Sequence, residues 1–415
     1  MVVSLEVLVL ALLLVVPLYW SIPVSLAMPA TAGSAQAPAA WSGGEVGVMA
    51  RQLLLIGFSL LLLFSLSPLI PAIIALAFGA VLLFRLAQRR GISPERLKPL
   101  SWGLFAPLAV VEFLPADMVV GGLFSERAAA VPTLVNWAYL GLSYCAIRSF
   151  LVLREAMNRG GLDPLAALGC LTFFGSYVAG PICGSRPFTR EMQAQTLTFE
   201  AALRAVCRIG WGAALLLVIA PKLAGLDLAG TMERAGLTAG QGLLAWLDLY
   251  RAFLVLYFDF AGYTSIAIGA ALLFGITLPE NFRMPLVSRS VQEFWQRWHM
   301  SLGAFIGNYL FKPIVRARGR PALAIFCAFV AVGLWHNVSW TYLFWGFGHG
   351  AALALQMILS KRMAAVALYP VLRLLLPWAG WAFTMTYVSL LSAIANSSGP
   401  AAAIDLVLTL GGLGG

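Results

Sequence analysis

Long apolar runs, broken by short basic loops, dominate the chain. Residues 3–27 form one run in which Glu6 is the only charge, and residues 52–88 form another. Further runs cover roughly 101–124, 131–153, 164–183, 206–225, 241–275, 298–311, 321–337, 339–359 and 364–398. About 20 apolar residues in a row suffice for a helix to cross a bilayer, and a helix satisfies its own backbone polar groups in lipid. The pattern therefore predicts an all-α, polytopic, multi-helix integral membrane protein. The 52–88 run would span about 55 Å as one helix, against a hydrocarbon core of about 30 Å. Ser67-Pro68 and Pro71 offer a turn, which predicts a hairpin of two helices. The 241–275 and 364–398 runs also exceed one straight crossing and are expected to be tilted, broken or paired. Residues 28–50 are rich in Ala, Gly, Ser and Pro and are expected to form a loop. The 3–27 run lacks a basic n-region and is long for a signal peptide, so it is expected to be a retained transmembrane helix. No internal repeat and no soluble segment is visible, so a single membrane-embedded domain over 1–415 is expected.

Composition narrows the function classes. Hydrophobic residues make up 61% of the 415 positions and charged residues 11%, with a mean hydropathy of +0.88. A soluble protein carries about 25% charged residues. A soluble enzyme and a nucleic-acid-binding domain are excluded, and no nucleic-acid partner is expected. The net charge of +10 instead suits the Lys/Arg excess of cytoplasmic membrane loops. With the 85–98 loop inside, the basic clusters at 154–159, 186–208, 283–297, 312–320 and 361–362 also fall inside, and the N-terminus falls outside. Residues 164–183 then lie between two loops on the same side, which predicts a re-entrant segment. Five cysteines form no CxxC pair, and no metal site is expected.

The chemistry concentrates in 257–350, which contains all three histidines: His299, His336 and His349. Asp259 lies in the apolar stretch Tyr257-Phe258-Asp259-Phe260-Ala261-Gly262-Tyr263. A carboxylate at membrane depth costs a few kcal/mol or more unless paired or hydrated. Asp259 is therefore expected to face the interior with a partner, as a site residue or as a structural strut. Leu278-Pro279-Glu280-Asn281-Phe282 follows, and then Ser290 with Glu293 at capping-box spacing. One helix is expected from there, with Trp295, Trp298, His299 and Leu302 on one face and Arg297 toward the cytoplasmic mouth. An interfacial aromatic helix with no chemical role has the same composition. The last piece is Gly333-Leu334-Trp335-His336-Asn337-Val338-Ser339-Trp340, continuing to Trp345-Gly346-Phe347-Gly348-His349-Gly350. His336 stands 16 residues beyond Arg320, about 24 Å along a helix and past the bilayer midplane. A neutral imidazole there can take a proton from a hydroxyl during acyl transfer. A histidine bonded to a backbone carbonyl between helices is the structural alternative.

In order and spacing these motifs resemble the membrane-bound O-acyltransferase family, most densely over 250–355. A weaker echo lies in Gly141-Leu142-Ser143-Tyr144, Phe173-Phe174 and Ala179-Gly180-Pro181. The resemblance implies a fold with a central tunnel in the bacterial inner membrane. It implies His336 as the catalytic residue and His299 as the second signature histidine. Asp259, Asn281, Trp295, Arg297, Trp298, Trp335, Asn337 and His349 are then substrate-binding or supporting candidates. Asn337 stands where many bacterial relatives carry Gly. No permanently bound cofactor is implied. The acyl donor that the resemblance implies is a phosphopantetheine carrier protein or coenzyme A. The acceptor it implies is an extracytoplasmic envelope polymer or a partner acyltransferase, with membrane lipid all around. Two branches fit. D-alanyl transfer is favoured by Phe260-Ala261-Gly262-Tyr263, Arg148 and His299-Met300-Ser301-Leu302. O-acetylation of an alginate-like exopolysaccharide is favoured by Leu278-Pro279-Glu280-Asn281-Phe282. A transporter or flippase is the non-enzyme alternative, but it predicts repeats with paired broken helices.

Overall fold

The computed structural model describes residues 5–24, 43–67, 69–106, 131–159, 161–189, 197–234, 240–366 and 370–413. Within them the regular structure is all helix. Six helices are long and apolar enough to cross a membrane among the described residues: Val46–Leu66, Ile70–Arg89, Phe199–Ala224, Gln241–Leu273, Trp340–Leu359 and Leu375–Ala395. The expected hairpin is present, as Gly43–Leu66 and Leu69–Arg89 part at Ser67. The first of these helices begins at Gly43, inside the stretch expected to be loop. The 241–275 run is neither broken nor paired: Gln241–Leu273 is one helix of 33 residues, about 50 Å long. A short helix at Pro400–Leu410 lies beyond the last expected element. Most of the 101–124 run falls outside the described residues.

The described residues fall into two compact units. The first comprises residues 1–212 and 263–279. Its core gathers Tyr19, Phe173, Phe188 and Phe274, all buried. The Trp20 indole donates to the Leu273 carbonyl at 2.8 Å, and Arg51 donates to the Ile22 carbonyl at the same distance. The segment expected to be re-entrant is broken here into Pro164–Thr172 and Phe174–Tyr177. Asp163 caps the first of these through the Leu165 and Ala166 amides. Arg148 is fully buried, donates to the Cys170 carbonyl at 2.8 Å, and lies over the Tyr177 ring.

The second unit comprises residues 213–262 and 280–415 and carries every histidine. Its framework is a pair of helices, Pro321–His336 and Trp340–Val366, joined by three residues. So short a connection makes the pair antiparallel. Small residues let the two backbones approach closely, as at packed membrane helices generally. A side-chain carbon on Gly346 would lie 2.6 Å from the Phe329 carbonyl oxygen, and one on Gly350 would lie 2.9 Å from that of Phe326. Any larger residue at either position would force the helices apart. That spacing fixes where His336, on one helix, stands relative to Trp345 and His349 on the other.

Candidate active site

The site is assembled from three pieces of the second unit. The first is the face of Gln241–Leu273 formed by Phe253, Tyr257 and Phe260 at helical spacing. Phe253 stacks on Trp298 at 5.7 Å, Tyr257 meets Phe282 edge-on at 5.6 Å, and Phe260 meets His299 edge-on at 4.9 Å. Asp259 adjoins this face but is rotated off it, since each residue turns a helix by about 100°. It is exposed, and no hydrogen bond or ion pair reaches it among the described residues. The interior-facing, partnered carboxylate expected from the sequence is therefore not found. The aromatic stripe claims the inward face, and Asp259 faces out.

The second piece is 281–306. Ser290 caps its helix as expected: its hydroxyl accepts from the Glu293 amide at 3.1 Å, and the Glu293 carboxylate reaches back to the Arg289 amide at 2.8 Å. The single aromatic helix is not formed. It stops at Trp295, and a new helix, Met300–Ile306, starts after His299. His299 adopts a left-handed conformation with φ 44°, which costs a non-glycine residue about 1–3 kcal/mol and persists only where its surroundings enforce it. The neighbouring segment does so. The Asn281 carbonyl accepts from the Met300 amide at 2.9 Å, and the Arg283 amide donates to the Arg297 carbonyl at 3.0 Å. The Asn281 side-chain oxygen accepts from the Ser301 hydroxyl at 2.5 Å. Asn281 is thus a fully buried staple across the elbow.

The elbow separates residues that one helix would have aligned. Trp298 packs among Phe253, Phe282 and Phe294. Trp295 instead points to the His336–His349 pair of helices. His299 lies outside the six candidate spans and is 4% exposed. Burial pushes its imidazole down to about 3, with His336 nearby as the second cause, so it is neutral in ordinary buffers. Arg297 binds Glu293 at 2.7 Å, and both are partly exposed.

The third piece carries His336, the last residue of its helix. The side chain is exposed, yet aromatic rings flank it: Trp335 at 4.6 Å, Trp345 at 5.6 Å and Tyr342 at 5.8 Å. Asn337 closes the helix at φ −165°, an extended conformation open to any residue, so no glycine is needed there. Ser339 opens the next helix, its hydroxyl accepting from the Tyr342 amide at 3.3 Å. His349 is 2% exposed and accepts from the Trp295 indole at 3.2 Å.

The structure thus brings together His336, His299, His349, Trp295, Trp298, Trp335 and Asn281, and it leaves Asp259 aside. Trp345, Tyr342, Tyr387, Phe260 and Ser301 also belong to this cluster and were not among the site candidates read from the sequence. The tight helix pair places Trp345 beside His336 although eight residues lie between them, and spacing along one helix gives no sign of that. Among the described residues, no three His, Cys, Asp or Glu side chains gather as a metal site would require.

A sequence model of the membrane-bound O-acyltransferase family, MBOAT, matches residues 104–394, well over half of the chain. The chain belongs to this family. The match extends beyond both ends of the densest motifs. The probable alginate O-acetylase AlgI of Pseudomonas aeruginosa is 33% identical over 218 residues, 51% of this chain and 41% of that protein. The peptidoglycan O-acetyltransferase of Helicobacter pylori is 32% identical over 196 residues, 46% of this chain and 37% of that protein. The teichoic acid D-alanyltransferase of Bacillus subtilis is 29% identical over 240 residues, 54% of this chain and 60% of that protein. The chain therefore matches about two fifths to three fifths of the length of these relatives.

Proposed function

We propose that this chain transfers an acyl group from a cytoplasmic thioester to a hydroxyl of an extracytoplasmic envelope polymer or partner protein, with His336 as the general base. The observation that carries this reading is the accessible imidazole at the end of a 16-residue apolar helix, backed by aromatic rings and close to neutral His299. In this reaction His336 takes the hydroxyl proton as the oxygen attacks the thioester carbonyl. The C–O bond forms, the C–S bond breaks, and the departing thiolate recovers the proton from the imidazolium. His299 and its elbow form one wall of the site. Trp335 and Asn337 flank the base, and Arg297 attracts donor phosphate in competition with Glu293.

Acetyl is the better-supported acyl group, because the two O-acetylating relatives are 32–33% identical to this chain against 29% for the D-alanyltransferase. D-alanyl is the second reading: its match is the longer, 240 residues and 60% of that relative, and the motifs around Arg148 and Phe260 resemble that branch. The reading places the protein in a bacterial inner membrane with the N-terminus outside. The donor is carried by coenzyme A or by a phosphopantetheine protein.

The test is purified protein in proteoliposomes, given labelled acetyl-coenzyme A or a D-alanyl carrier protein outside and a hydroxyl acceptor inside. Label should appear on the acceptor from one donor and vanish with His336→Ala. Transfer from neither donor, or undiminished transfer by His336→Ala, would remove the reading. Transfer from the D-alanyl carrier alone would decide for the second acyl group.

A further inference from the structure

We propose that Trp295, His349 and Trp345 form a strut that fixes the ring of His336, which makes His349 a positioning residue for the transfer. The proposal rests on His336 as the base.

The strut begins at one hydrogen bond. The Trp295 indole nitrogen lies 3.2 Å from His349 Nδ1. An indole N–H can only donate, so Nδ1 is the bare acceptor and a neutral imidazole carries its proton on Nε2. The tautomer of His349 is thereby set by a partner 54 residues earlier in the chain. Its ring has no freedom to turn. Trp295 stands perpendicular to it at 5.0 Å and Tyr387 at 5.8 Å, and Trp345 packs on it at 4.7 Å. The Tyr387 hydroxyl donates to the Gly348 carbonyl at 2.7 Å and anchors the same helical turn. At 2% exposure His349 cannot meet a substrate.

Trp345 transmits this rigidity. Besides His349 it meets Trp295 at 5.6 Å and 86°, and His336 at 5.6 Å and 86°. An indole held edge-to-face by three neighbours cannot rotate without displacing one of them. His336 is exposed and ends its helix, so nothing in its own segment holds its ring as firmly. A base displaced by about 1 Å can lose about 100-fold in rate.

Kinetics of the full-length protein in proteoliposomes test the strut, with the labelled thioester that supports wild-type transfer. Trp295→Phe keeps an aromatic ring but removes the indole donor together with the bulk of the second ring, and His349→Gln separates the two effects by sparing the ring. It should lower kcat about tenfold with the donor KM unchanged. His349→Leu should lose as much, and the double variant should lose no more than either single one. His349→Gln retains an acceptor for the indole and should recover most of kcat. Wild-type kcat in Trp295→Phe, additive losses in the double variant, or a change in KM alone would overturn the proposal. If His349→Leu does not fold, Trp295→Phe and His349→Gln decide it. His336→Ala is assayed in parallel. Wild-type turnover there would remove the base itself, whereas an inactive His336→Ala beside a fully active Trp295→Phe would remove only the strut.

Discussion

His336 and His349 stand on facing helices and share a neighbour in Trp345, yet their surroundings suit opposite tasks. His336 ends its helix with an accessible ring. His349 lies inside its helix, nearly sealed from solvent, with Nδ1 already occupied. On the proposed reading, one residue type in one aromatic neighbourhood serves once as a proton-exchanging group and once as a support. Accessibility and free hydrogen-bonding capacity separate the two roles. Their motifs, WHN and GHG, do not. His299 is a third case: buried like His349, but placed by backbone strain that the Asn281 staple enforces.

Four variants break or sharpen this contrast. His336→Ala has the largest expected effect, a fall in transfer rate of about 10²–10⁴-fold. Its unfolding midpoint in detergent should match wild type, because an exposed side chain is removed. Asn281→Ala acts on the buried side of the comparison. It leaves the Ser301 hydroxyl without its 2.5 Å acceptor, a loss of about 1–3 kcal/mol. Thermal unfolding should register it, and transfer should fall as the His299 elbow relaxes. Arg297→Ala has a smaller expected effect, a rise of a few-fold in donor KM that exceeds any fall in kcat. Its ion pair with Glu293 is half-open to solvent and contributes about 1 kcal/mol or less. An unchanged donor KM would reduce Arg297 to the partner of Glu293. Asp259→Asn should change least. Stability should stay within about 0.5 kcal/mol and turnover should be unaltered. A large loss of activity there would restore Asp259 to the site.

Much was legible in the sequence. The hairpin break near Ser67, the cap at Ser290 and the helix ending at His336 follow from local rules about proline, capping hydroxyls and apolar length. The breakdown of the 290–302 helix does not. Its residues carry the right period, but the Asn281–Arg283 backbone takes over hydrogen bonds at Arg297 and Met300, a competition between segments that periodicity cannot register. Asp259 shows the same limit. Its membrane-depth sequence argued for burial, but the stripe of Phe253, Tyr257 and Phe260 had already chosen the inward face.

The amino-acid sequence by itself determined the all-α membrane class, the O-acyltransferase family and His336 and His299 as the residues to watch. Each follows from composition or from contiguous motifs, where the signal lies within a few neighbouring residues. Only the tertiary structure decided which histidine is accessible, which nitrogen of His349 is bare and which rings surround His336. Those properties belong to contacts between helices, set by how closely two backbones approach at Gly346 and Gly350, and no single segment contains them.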